Sequence, residues 1–118
     1  MSKEIFAASA LGLMVLGEFC IIYSEVAVAR LAQAGSTSWE TLTFPVLLAC
    51  FSGLCLMAAY WLGYRAVGDI WLVTVVSVTS LLMLEPLVIW SMFHEMPGRG
   101  ELIGFCLGAL GLVAAVFL

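Results

Sequence analysis

The amino-acid sequence predicts an all-α polytopic membrane protein, a single four-transmembrane-helix domain that forms an up-down bundle. Of the 118 residues, 64% are hydrophobic and only 10% are charged, whereas a soluble domain has about 45–50% apolar and about 25% charged residues. Four apolar runs are long enough to cross a bilayer, and they cover residues 5–29, 42–64, 70–93 and 102–118. A water-soluble enzyme and a secreted disulfide scaffold are excluded, and we expect no catalytic residues, cofactor or metal site.

The first two runs form the amino-terminal half of the predicted domain. Residues 5–29 give a helix of roughly 37 Å at about 1.5 Å per residue, enough for a tilted crossing. A connection over residues 30–41 leads to the second run, residues 42–64. A signal peptide is disfavoured because the first run exceeds an apolar region of about 7–15 residues and contains Glu18 and Glu25.

Short turns connect the remaining elements. The turn over residues 65–69 forces the second and third helices into an antiparallel hairpin, in which Asp69 suits the N-cap of the third helix and forms an interfacial ion pair with Arg65. Residues 94–101 are rich in helix breakers and separate the third run from the fourth. Both termini therefore lie on one side of the membrane.

The charge distribution limits partners and orientation. The formal net charge is −4, and without a basic stripe to neutralise phosphates we expect no nucleic-acid partner. Lys3 and Arg65 fall on one side of the membrane, and Arg30 and Arg99 on the other, so the positive-inside rule specifies no orientation. Such a split is typical of dual insertion or of orientation by a partner, and equally of a chain with too few charges to show a bias.

A carboxylate lies inside the first apolar run. Glu18 is at its centre, where a charged group is costly, so we expect it to face the bundle interior or a polar cavity. Glu25 follows seven residues later, which places it on the same face of the helix as Glu18 to within about 20° of rotation. Burial and a neighbouring carboxylate both favour protonation, as in a proton-coupled site. The alternative is a neutral Glu18 hydrogen-bonded to a neighbouring helix.

The third run also carries polar residues. Glu85 precedes Pro86, which frees backbone carbonyls and usually kinks a helix. Glu85 is either a second cavity carboxylate or an interior hydrogen-bond partner near the kink. Four hydroxyl side chains line a polar path, bond back to their own helix or join helices; they are Thr74, Ser77, Thr79 and Ser80.

Aromatic residues surround the second turn. Tyr60, Trp61, Tyr64 and Trp71 are typical of an aromatic belt at one membrane surface. The alternative is a substrate cage that packs on a cation, to which Tyr60 and Trp71 would contribute.

The fourth run contains a face of small residues. Gly104, Gly108 and Gly111 allow close helix approach. This face packs either against the chain's own helices or against a second copy.

The pattern resembles the drug/metabolite transporter superfamily, especially its four-helix, half-size members such as the small multidrug resistance proteins. Residues 16–19, Leu-Gly-Glu-Phe, look like the membrane-embedded glutamate motif of their first helix, and residues 64–71 look like their second turn. Residues 84–95, followed by Gly104 and Gly111, are similar to the closing helix pair of the larger EamA-type transporters.

The chain departs from that pattern at several positions. Ala66 replaces the usual turn proline, and Thr74 stands where the drug exporters carry a tryptophan. Val76 and Val78 occupy the places of the glycine pair that kinks their third helix. The substrate therefore does not follow from the resemblance.

The resemblance implies a transporter subunit in the bacterial cytoplasmic (inner) membrane that exports a small cationic or amphipathic compound in exchange for protons. Glu18 would bind proton and substrate, and the further candidates are Glu25, Glu85, Tyr60, Trp71 and Thr74. Two alternatives are half of a flippase for a lipid-linked substrate, similar to the subunits of the aminoarabinose-phosphoundecaprenol flippase, and an accessory subunit of a larger membrane complex.

The expected partners are membrane lipid and a second membrane chain. Transporters of this kind enclose the site between two structural repeats, and four spans supply only one repeat. We therefore expect a homodimer or a heteromeric partner.

Overall fold

Four helices form the protein in the computed structural model, which describes residues 2–118 apart from the side chain of Val116. Helix α1 covers Lys3–Ala34, α2 Trp39–Val67, α3 Ile70–Phe93 and α4 Arg99–Phe117. No strand occurs within residues 2–118, so the all-α prediction is confirmed. Helices α1, α2 and α3 are long and apolar enough to cross a membrane. Helix α4 corresponds to the fourth predicted crossing, which stays a prediction.

Capping residues extend the first two helices beyond their apolar runs. Helix α1 ends at Gly35, whose φ of 70° is a left-handed conformation that glycine adopts without steric cost. Helix α2 starts with a capping box, in which the Ser38 hydroxyl accepts from the Thr41 N–H and the Thr41 hydroxyl accepts from the Ser38 N–H. The connection predicted over residues 30–41 is therefore wrong for most of its length, since only residues 35–38 are non-helical.

The predicted short turn between α2 and α3 is present, although each of these helices packs mainly on α1 rather than on the other. Gly68 ends α2 with a φ of 76°, and the Asp69 carboxylate accepts a hydrogen bond of 3.0 Å from the Trp71 N–H. Asp69 therefore caps α3 as predicted. Helix α3 then continues through Pro86 without interruption to Phe93.

Arg65 contacts aromatic rings at the surface next to this hairpin. Its guanidinium carbon lies 5.1 Å from the ring centre of Trp61 and 5.8 Å from that of Phe6. These cation–π contacts connect the end of α2 to the beginning of α1. The structure thus gives Arg65 partners other than Asp69, with which we expected it to pair.

Helix α1 is the central helix of an open row. It packs against both α2 and α3, whereas α4 contacts only α3. The Cα atoms extend over 48 × 35 × 17 Å. Four helices side by side at about 10 Å spacing would be about 35 Å wide, and a square bundle only about 15 Å in both directions. The spatial order is therefore α2, α1, α3, α4.

Two apolar clusters join α1 to its neighbours. Met14 packs with Ala59 of α2 and Val73 of α3. Ile22 and Val26 pack with Val88 of α3. Because both clusters include α1 residues, the α1 segment between them, around Glu18, is held from both ends.

Helices α1 and α2 approach closely at Gly17. A Cβ atom there would lie 2.8 Å from Cγ of Leu56 and 3.2 Å from the carbonyl oxygen of Ser52. A backbone carbonyl and a branched side-chain carbon cannot both move aside cheaply. The missing side chain of Gly17 therefore sets the spacing of these two helices beside Glu18.

We predict that Gly17→Ala lowers the free energy of unfolding by about 1–3 kcal/mol, the usual cost of overpacking. Gly12→Ala is the matched control, because within the described part of the chain nothing lies within 4 Å of a Cβ at Gly12. That control should be neutral or stabilising, since alanine favours helix by about 1 kcal/mol. The measurement is denaturant unfolding in detergent micelles, and equal stabilities of the two variants would contradict the packing described.

Candidate functional site

Glu18 is a buried carboxylate at the α1–α3 interface. Its side chain is only 6% exposed, and that of Ser77 on α3 is 8% exposed. The Ser77 hydroxyl donates a hydrogen bond of 2.6 Å to Oε1 of Glu18. This position agrees with the expectation that Glu18 faces the interior. The hydrogen bond to Ser77 also fits the alternative interpretation, in which Glu18 is bonded to a neighbouring helix.

The second carboxylate oxygen of Glu18 has a different environment. Among residues 2–118, the only hydrogen bond to the Glu18 side chain is the one from Ser77. Every fully enclosed side-chain nitrogen or oxygen of the described residues has a partner. Oε2 therefore accepts no hydrogen bond from residues 2–118 and is not completely enclosed by them.

An apolar cavity of about 220 Å³ lies about one helical turn from the pair, towards the α2–α3 hairpin. Met14 lines it one turn before Glu18, and Val73 lines it one turn before Ser77. Its lining is almost wholly apolar, so it suits the hydrocarbon part of a ligand. The full lining comprises Ala7, Ala10, Leu11, Met14, Gly63, Val67, Leu72, Val73 and Val76.

Glu25 is exposed rather than buried beside Glu18. It lies at the edge of a shallow groove between α1 and α2, which Pro45 also lines. The sequence places both carboxylates on one face of α1, but only Glu18 is buried. Helices α2 and α3 cover α1 from two sides, and α4 is too far along the row to cover the remaining face.

Glu85 is half-buried on α3. It is eight residues beyond Ser77, which is about 12 Å along a helix. The structure therefore does not bring Glu85 together with the Glu18–Ser77 pair.

Three of the four candidate hydroxyls on α3 bond to their own helix, as does that of Ser91. Thr74 donates to the Ile70 carbonyl at 2.9 Å, Thr79 to Val75 at 2.8 Å, and Ser80 to Val76 at 2.9 Å. Only Ser77 reaches another helix. Ser77 lies one turn after Val73, on the same face of α3, and Val73 is also buried against α1. This shared face is the signal in the sequence that could have distinguished Ser77 from the other hydroxyl residues.

The aromatic candidates are not assembled around Glu18. Tyr60 is half-buried and packs against the cluster of Met14, Ala59 and Val73. Trp71 is 76% exposed, and Trp61 and Tyr64 are exposed as well. Their positions suit a membrane-surface belt better than an enclosed cage.

The glycine face of α4 is divided between two environments. A Cβ at Gly108 would contact Leu82 of α3 at 3.7 Å, whereas nothing in the described part of the chain lies within 4 Å of a Cβ at Gly104 or Gly111. Gly108 therefore lies beside α3 although it stays exposed, while Gly104 and Gly111 face open space.

The arrangement has one chemical capability that stands out. A carboxylate that is buried in a membrane helix and bonded to a second helix is of the kind found in proton relays and ion pathways. Within residues 2–118 no group of three or more His, Cys, Asp or Glu is placed to hold a metal ion.

Comparison with protein families, with curated proteins and with solved structures finds no match to this chain. Assignment of a function therefore depends on the physical properties of the site and on the motif resemblance described above.

Proposed function

We propose that the protein is a subunit of a small membrane transporter in which Glu18 exchanges a proton for a small cationic or amphipathic compound. The observation that carries the proposal is the burial of this carboxylate in the middle of an apolar helix, with one hydrogen bond to it from Ser77 among the described residues. An ionisable group in such a place is costly and is typical of proton relays and substrate pathways.

Competition for one carboxylate couples the two fluxes. The ionised form attracts a cation, and the protonated form releases it, because only the ionised form carries a charge to neutralise it. The apolar cavity one turn away would accommodate the hydrocarbon part of an amphipathic compound. The proposed location is the bacterial cytoplasmic membrane.

A second copy of the chain is part of the proposal. A transporter site enclosed between two repeats needs another chain when one chain supplies a single repeat. Helix α4 contacts only α3, and Gly104 and Gly111 on it face open space. We propose this outer face of α4 as the contact with the second copy, because glycines let helices approach closely in lipid.

The second candidate function is an accessory subunit of a larger membrane complex. The hydroxyl of Thr74, at the position where the drug exporters carry a tryptophan, is bonded to its own helix, and this favours loss of transport. The open faces of α4 would then bind unrelated chains. Mild purification followed by mass analysis separates the candidates, because a transporter emerges as a dimer and an accessory subunit with other proteins.

We predict that Glu18→Gln abolishes proton-coupled uptake while the protein stays folded, since an amide cannot carry the exchanged proton. The measurement uses purified protein in liposomes, a panel of quaternary ammonium and guanidinium cations, and an imposed pH gradient. Glu40→Gln is the matched control, because Glu40 is exposed in the first turn of α2. Uptake by Glu18→Gln equal to that of the wild type would refute the proposal.

We predict that leucine substitutions separate the two sides of α4. Gly104→Leu should reduce cross-linking between copies and leave the unfolding free energy unchanged, since Gly104 has no neighbour within its own described chain. Gly108→Leu should instead lower stability, because the longer side chain would displace Leu82. If Gly104→Leu associates as the wild type does in bilayers, the outer face of α4 is not the contact.

A further inference from the structure

A cleft of about 670 Å³ lies between the end of α3 and the beginning of α4. Its walls include Pro86 and Trp90 of α3, Glu95 of the connection, and Glu101 and Phe105 of α4. We propose that this α3–α4 cleft binds an organic cation with an apolar body, such as a quaternary ammonium compound with an alkyl chain. The proposal does not rest on transport through Glu18, because binding to the cleft can be measured without any transport.

The size of the cleft follows from the way the two helices meet. An added Cβ atom at Gly108 would contact Leu82 at 3.7 Å, so α3 and α4 lie side by side at that level. Pro86 comes four residues after Leu82, and Phe105 three residues before Gly108, so both lie about one turn nearer the connection. The helix pair is therefore close together at Gly108 and leaves the cleft between that level and the connection. Its volume is within the range of about 300–1,000 Å³ that is usual for small-molecule sites.

The walls of the cleft are mainly apolar and include two aromatic rings. Phe105 of α4 and Ile89 of α3 are half-buried, whereas Trp90 of α3 is 53% exposed. Contact with such walls removes a hydrocarbon body from water, which is favourable. The faces of aromatic rings also attract ammonium groups through cation–π interactions.

Two carboxylates give the cleft a negative charge at its end near the connection. Glu95 and Glu101 both line it and are exposed. A Cβ atom at Gly98 would collide with the Glu101 carboxylate, so this carboxylate lies back against the N-cap of α4, next to the connection that carries Glu95. Neither His94 nor Arg99 of the same segment lines the cleft. Its charge therefore complements a cation.

A small organic cation matches this combination better than a metal ion or a phospholipid does. Within residues 2–118 no group of three or more His, Cys, Asp or Glu is placed to hold a metal ion, so a bare divalent cation lacks the ligands it needs. The headgroup of a phospholipid carries a phosphate, which two carboxylates repel. An ammonium group on an apolar body satisfies both the charge and the walls.

The cleft is separate from the Glu18–Ser77 pair. Its α3 residues, Pro86 to Trp90, lie nine to thirteen residues beyond Ser77, which is about 14–20 Å along a helix. A compound in the cleft therefore does not touch Glu18, and the two sites can be tested independently.

The test is equilibrium dialysis of radiolabelled decyltrimethylammonium against the full-length protein in phosphatidylcholine nanodiscs. Partition into lipid is subtracted with nanodiscs that contain no protein. We expect saturable binding that the double variant Glu95→Gln, Glu101→Gln weakens about tenfold, since two partly solvated charge contacts are lost. Both side chains are exposed, so this variant should fold as the wild type does.

The matched control is the double variant Glu4→Gln, Glu40→Gln, which removes the same charge from two exposed positions outside the cleft. It should bind the compound as the wild type does. Phe105→Leu should weaken binding about threefold by loss of the aromatic face, whereas Phe117→Leu, at an exposed position of the same helix, should not. Absence of saturable binding, or equal losses in the cleft and control variants, overturns the proposal. So does reduced cross-linking between copies in the cleft variants, which would place a second copy in the cleft.

The same titration on Glu18→Gln separates this proposal from the proposed function. We expect this variant to retain saturable binding and its dependence on Glu95 and Glu101. If Glu18→Gln alone removes all saturable binding, the compound binds at Glu18, and the proposal for the cleft is overturned while the proposed function is not. If Glu18→Gln still takes up cations as the wild type does, the proposed function fails, and binding to the cleft is still decided by its own variants.

Discussion

The cost of placing a carboxylate inside an apolar helix is the constraint on which the rest of this structure depends. Glu18 has no buried basic residue near it among the described residues, and an uncompensated charge there would cost several kcal/mol. The hydroxyl of Ser77, on a helix distant in sequence, offsets part of that cost through its hydrogen bond to Glu18. The function proposed here rests on the same carboxylate, because ionisable groups inside membrane helices are typical of proton relays and substrate pathways.

The order of the helices explains how the hydrogen bond between Ser77 and Glu18 is buried. Helix α1 lies between α2 and α3, and apolar clusters that include Met14 and Ile22 fix it on both sides of Glu18. Gly17 lets α2 approach closely next to the carboxylate. Glu25 shares a heptad stripe with Glu18 but lies further along α1, where it is exposed at the edge of a shallow groove.

The sequence predicted the helices and the buried acceptor Glu18, but not its hydrogen-bond donor, Ser77. Apolar runs locate the helices well because backbone groups in lipid must be bonded within a helix, and Asp69 identified the start of α3. Helix periodicity places a residue on a face but does not say which helix covers that face. The exposure of Glu25, the partner role of Ser77 and the close approach at Gly17 all depend on the order of the helices in the row, which no local pattern encodes.

A double-mutant cycle between Glu18 and Ser77 tests the central claim most directly. The unfolding free energies of the wild type, Glu18→Leu, Ser77→Ala and the double variant are measured under identical conditions in detergent, and leucine removes the acceptor at similar volume. The account predicts a coupling free energy of about 1–2 kcal/mol, as for a hydrogen bond between membrane helices. A coupling no larger than about 0.3 kcal/mol, the usual additivity error, would contradict it.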